Sequence, residues 1–114
     1  MATMLSSRPA IHASRILSRR PLDVRARLVA LHSTGERVIV QARTHDVSCS
    51  GVGLTLTREL PSGTKVVLCF RLPGSETALC LQSVITRRQG FRAGLRFVQP
   101  TAKQRLLLSE LCYA

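Results

Sequence analysis

From Pro21 to Val98 the chain reads as short Val-, Leu- and Ile-rich runs, each ended by turn residues, and this rhythm restricts it to a small antiparallel sheet or barrel. The runs are 24–31, 37–43, 52–57, 65–72, 77–86 and 92–98, six strands in all. Ser33-Thr34-Gly35 joins the first two as a hairpin, and a loop over 44–51 follows. Leu60-Pro61-Ser62-Gly63, Pro73-Gly74-Ser75 and Gln89-Gly90 then separate the later runs. In the fourth run Val66, Leu68, Phe70 and Leu72 share one face. In the last, Ala93, Leu95 and Phe97 share the inner face, while Arg92, Gly94 and Arg96 point outward toward a ligand or water.

After Pro100 the period becomes helical. Thr101 stands three residues before Gln104 as in a capping box, and Leu107, Leu108 and Leu111 make an apolar stripe. A terminal helix covering the sheet is the expected result. With 114 residues there is room for one domain and one core. Residues 1–14 show no sustained periodicity and are read as a flexible basic N-terminal arm, with a helical turn near Ile11 to Leu17; 15–114 form the folded domain.

Seventeen Lys and Arg stand against 6 Asp and Glu, a formal charge of +11, and only Lys65 and Lys103 are lysines. Fifteen arginines are fifteen flat five-donor forks, which match phosphates and guanine edges better than a point charge does. GC-rich coding also favours arginine over lysine, so composition alone does not name the partner.

Cys49, Cys69, Cys80 and Cys112 include no C-x-x-C pair, and His12, His32 and His45 have no helical partner, so no zinc or redox motif is spelled out. Buried free thiols in a reducing cytoplasm are the natural reading. No run of 18 apolar residues is present for a spanning helix. The first twenty residues, rich in Ser and Arg and free of acid, also read as a mitochondrial presequence.

Catalysis finds little support. Ser48 and Ser50 near His45 and Asp46 imitate a triad, but neighbours within one turn do not aim at each other as nucleophile, base and orienter. Cys49 is either a thiol activated by arginines or a small loop-filling residue.

Two clusters stand out: Arg15-Ile16-Leu17-Ser18-Arg19-Arg20 before the first strand, and Asp46-Val47-Ser48-Cys49-Ser50-Gly51 before the third. Alone, the first is a solvated cationic arm and the second ordinary turn chemistry. Together, R-x-x-x-R ahead of a six-strand pattern and D-x-S-x-x-G between its second and third strands resemble the PilZ family. Arg20-Pro21-Leu22-Asp23-Val24 is similar to the family's approach to its first strand, and Ala93-Gly94-Leu95-Arg96-Phe97 to its closing strand. The likeness spans residues 15–112.

The resemblance implies an all-β fold, a six-stranded antiparallel barrel with a C-terminal α-helix, that binds the bacterial second messenger cyclic di-GMP without catalysis and without a cofactor. Carried over by motif position, Arg15, Arg19 and Arg20 clamp phosphates or fork onto and stack over guanines. Asp46 accepts guanine N–H groups, Ser48 hydrogen-bonds phosphate or base, and Gly51 permits close backbone approach. The extra arginine at position 20 suits an intercalated ligand dimer as well as a single molecule. A cytoplasmic receptor or adaptor, whose arm orders around the ligand and changes its grip on a protein effector, is the resulting expectation.

Two other classes stay open. A small basic nucleic-acid-binding barrel is opposed by the aromatic count, since Phe70, Phe91, Phe97 and Tyr113 supply no stacking platform. A PilZ-like protein–protein module would dock a partner on the barrel or on the Leu107–Leu111 helix.

Overall fold

The computed structural model describes residues 19–113. The arm over 1–14, the turn near Ile11 to Leu17, and Arg15 lie outside the described residues. Within them the chain forms β1 (Arg20–Pro21), β2 (Arg25–Leu31), β3 (Arg37–Val47), β4 (Gly51–Leu56), β5 (Lys65–Arg71), β6 (Ala78–Gln89), β7 (Arg92–Phe97) and α1 (Ala102–Tyr113).

The sheet order is β1-β3-β2-β5-β6-β7-β4, and β4 returns to pair with β3. Six antiparallel strands therefore close into a barrel, which removes the free edges an open sheet would expose. β1 is a two-residue addition on β3, with Arg20 opposite Val47 and Pro21 opposite Asp46.

Closure follows from alternation. In β5 the inward set Val66, Leu68 and Phe70 is buried, and Leu72 just beyond packs partly against the core. Ala93, Leu95 and Phe97 of β7, two strands along, face the same interior. The core also takes Leu28, Val40, Leu54, Leu81 and Ile85, each at most 1% exposed. No helix among the described residues is long and apolar enough to cross a membrane.

α1 begins with the box expected from Thr101 and Gln104: Gln104 N donates to Thr101 Oγ1 at 3.1 Å and Thr101 N donates to Gln104 Oε1 at 3.0 Å. Gln104 Nε2 also donates to Cys80 O of β6 at 2.7 Å, pinning the start of the helix to the barrel. Leu108 and Cys112 are fully buried beneath it, with Leu107 and Leu111 at the margin.

The expected loop over 44–51 is a correction. β3 runs on to Val47, with a bulge between Thr44 and Asp46, and only Ser48-Cys49-Ser50 turns the chain. The polar run Arg43-Thr44-His45-Asp46 hides a strand because Thr44 points into the barrel and is fully buried. Its hydroxyl donates to Leu22 O at 2.6 Å and accepts from Val24 N at 3.0 Å, satisfying the segment between β1 and β2 that leaves the ladder. β6 likewise extends to Gln89, three residues past the expected end, and meets β7 through the tight turn Gly90-Phe91, where Gly90 takes φ 63°.

The expectation of buried thiols also needs correcting: Cys112 is buried, Cys49 and Cys69 are half-buried, and Cys80 is exposed. Cys69 and Cys80 sit opposite each other on the outer face of β5 and β6, a face on which side chains meet water.

Candidate functional site

Arg19 and Asp46, one residue of each sequence cluster, meet on an outer face of the barrel. Because β1 pairs with the end of β3, Arg19 lies beside Asp46, and Arg19 Nη2 stands 2.9 Å from Asp46 Oδ1. Both side chains keep roughly two-fifths of their surface exposed, at 43% and 36%. The Asp46 Oδ1 atom itself is buried, and among the described residues no donor is aligned on it for a hydrogen bond. Oδ1 therefore holds an ionic contact with Arg19, and the exposed remainder of the carboxylate keeps acceptor capacity for a ligand N–H.

Around this pair lies an open cleft of about 540 Å³, within the usual range for small-molecule sites. Arg19 and Asp46 form one side, Gly53 and Gly94 the floor, and Arg87, Arg88 and Arg92 the far side. Arg88 Nη1 pairs with Glu59 Oε1 at 3.0 Å, whereas no carboxylate lies within ion-pair distance of Arg87 or Arg92 among the described residues.

The remaining sequence candidates sit differently. Ser48 is 5% exposed, and its hydroxyl accepts from Gly51 N at 3.1 Å and Ser50 N at 3.2 Å. The side chain thus builds the turn that ends β3, and its oxygen faces the loop backbone. Gly51 is demanded by packing: a Cβ there would run into the Leu95 carbonyl oxygen of β7. Its close backbone approach is to a neighbouring strand.

Arg20, adjacent to Arg19, turns to the end of α1. Its Nε donates to Cys112 O at 2.7 Å, capping a helix that has no basic residue in its own last turn. Arg92 reaches the cleft, while Arg96, opposite Gly51, does not line it. Gly53, Arg87, Arg88, Gln89 and Gly94 are the lining residues that sequence reading passed over. The available signal was glycine at outward positions of β4 and β7, where a strand ordinarily carries a side chain.

The thiol of Cys112 is pushed up to about 11, first by burial and then by the neighbouring Cys49 thiol. It packs as an uncharged core group. Among the described residues no three His, Cys, Asp or Glu side chains come together to hold a metal ion.

The structure is similar to the crystal structure of the PilZ domain of CeSA from a cellulose-synthesizing bacterium, with a TM-score of 0.64 at 22% identity over 83% of this chain and 94% of that one. At that identity the likeness speaks for the fold. No curated protein matches the chain. The sequence model of the PilZ domain matches residues 14–114, taking in both motif clusters, all the strands and the helix, and the chain therefore belongs to the PilZ domain family.

Proposed function

We propose that the chain is a non-catalytic receptor for cyclic di-GMP, the ligand that its family membership and motifs imply. The observation that carries this reading is the Arg19–Asp46 pair at the side of the cleft. It unites the arginine motif and the D-x-S-x-x-G motif at one place and offers a cation beside an acceptor. A cyclic dinucleotide of guanine asks for both, a fork for its phosphodiester or base and a carboxylate for its Watson–Crick N–H groups.

Arg15 adds a second motif arginine from the preceding segment. Ser48 and Gly51 contribute by holding the turn that aims Asp46. Arg20 ties the same stretch to the end of α1, so capture of the ligand by Arg19 acts next to a contact that holds the helix. On this reading the output is an adaptor's, a change in the surface offered to a protein effector in the cytoplasm.

Calorimetry of the whole chain with cyclic di-GMP tests the reading. Binding in the micromolar range or tighter is expected, weakened about ten- to hundredfold by Arg19→Ala and by Asp46→Ala, as for loss of a hydrogen bond to a charged group. No heat with the wild-type chain, or unchanged affinity in both variants, would remove it. Steep salt dependence on any DNA or RNA without preference for the cyclic dinucleotide would turn the assignment to a nucleic-acid binder.

A further inference from the structure

Four strands of the cleft face bring four residues into one row. Asp46 of β3 pairs with Gly53 of β4, Gly53 with Gly94 of β7, and Gly94 with Arg87 of β6. The two middle positions have no side chain, and the outer ones lie down over them. A Cβ on Gly53 would stand 3.0 Å from Asp46 Oδ1 and 3.3 Å from Oδ2. On Gly94 it would stand 3.5 Å from Arg87 Nε and 3.7 Å from Nη2.

A carboxylate and a guanidinium therefore lean toward each other over two neighbouring strands, whose ordinary spacing is about 4.8 Å. They do not form an ion pair. Asp46 contacts Arg19, and Arg87 has no carboxylate within ion-pair distance among the described residues.

The bulge between Ile85 and Arg87 produces this aim. It breaks the alternation of β6, so that Arg87 falls over Gly94, while the Thr86 hydroxyl donates to Gly94 O at 3.2 Å and holds the strands together there. Arg88, next along, is taken by Glu59.

An acceptor and a double donor side by side, at the scale of a purine, complement guanine and oppose adenine. Guanine presents N–H donors on its Watson–Crick edge and the acceptors O6 and N7 beside them, whereas adenine carries an amino donor where guanine has O6. We infer that Arg87 is a base-reading residue of the cleft, forking onto guanine O6 and N7 while Asp46 takes the N–H groups of the same base, with Gly53 and Gly94 as the floor that lets both reach it. This assignment rests on the cyclic di-GMP reading and adds to it a determinant outside both sequence motifs.

The test compares cyclic di-GMP with cyclic di-AMP by calorimetry on the wild-type chain, Arg87→Ala and Arg87→Lys, with Arg37→Ala on the distant hairpin as a charge-matched control. Arg87 is exposed, so the melting temperature should hold in each variant. The wild-type chain should prefer the guanine ligand. Arg87→Ala should lower cyclic di-GMP affinity by about tenfold or more and shrink the preference over cyclic di-AMP, the scale of a lost bidentate base contact. Arg87→Lys, which keeps the charge and loses the fork, should shrink the preference too, and Arg37→Ala should change neither.

If both Arg87 variants keep the wild-type affinity and preference, the assignment falls while the receptor reading stands. If affinity drops equally for both ligands with the preference intact, Arg87 serves phosphate and the base-reading role is overturned. A wild-type chain that binds neither ligand overturns the assignment together with the receptor reading.

Discussion

Two arginine-lined hollows on the barrel differ in what lies beneath the arginines. On the cleft face the row Asp46, Gly53, Gly94, Arg87 has bare backbone at its centre. Across β3, β2, β5 and β6 the corresponding row is Gln41, Arg27, Cys69, Cys80, with a side chain at every position. The hollow there, lined by Arg25, Arg27, Gln41 and Arg71 among others, measures about 280 Å³ against about 540 Å³. Nearby, Arg43 binds Asp23 and holds its carboxyl below the ordinary range, so the acid there serves only its own arginine. Cations line both hollows; the cleft alone of the two sets an acidic acceptor and open backbone beside them.

The largest effect should come from the glycine that lets β4 approach β7. Gly51→Ala forces a methyl against the Leu95 carbonyl and should cost about 3 kcal/mol, the upper range for overpacking, lowering the melting temperature by more than about 10 °C. Gln41→Ala, in the filled row, should stay within about 0.5 kcal/mol. Equal thermal shifts in the two would erase the contrast.

Ligand binding sharpens the same comparison. Arg19→Ala should weaken cyclic di-GMP about ten- to hundredfold. Removing two cations from the other face, Arg25→Ala with Arg71→Ala, should leave affinity within about twofold at moderate salt, where charges beyond a Debye length are screened. A large loss in the double variant would mean that total charge, rather than the cleft, captures the ligand.

A smaller effect separates the neighbours Arg19 and Arg20. Arg20→Ala removes the cap on Cys112 O and should cost about 1 kcal/mol, seen as faster hydrogen exchange in the last turn of α1. Arg19→Ala should leave that turn as protected as before.

The smallest is a pH effect carried by two thiols, one beneath α1 and one in the filled row. Cys112, beside Cys49, and Cys69, beside Cys80, both have thiols pushed from 9.0 to about 11, in each case first by burial. Since these folded values lie above the unfolded one, their contribution is complete below about pH 9 and is lost as pH rises through 11. Denaturant midpoints should fall over that window, and Cys112→Ala and Cys69→Ala should each flatten part of the fall. A slope unchanged in both variants would show that other groups carry the alkaline loss.

Much of the barrel was legible from alternation, because inward and outward positions repeat with the pleat whatever the partners are. Val66, Leu68 and Phe70, or Ala93, Leu95 and Phe97, announce their strand and their face at once. The box of Thr101 and Gln104 is equally local. Thr44 defeated the same logic, since a polar residue reads as loop unless its partners are known, and Leu22 and Val24 are supplied by another segment. Ser48 and Gly51 were found as motif positions, but what they touch was hidden: a turn's own amides and the backbone of β7.

From sequence came the strands, the helix with its cap, and the pair of motifs that singled out Arg19 and Asp46. Tertiary structure alone decided that Arg19 turns to the cleft while Arg20 turns to the helix, and that Arg87 faces Asp46 across two glycines. The physical reason is register. A strand's own residues set which side faces out, but which residues share a row depends on pairing between strands far apart in the chain, as Gly51 with Arg96 and Ala26 with Phe70.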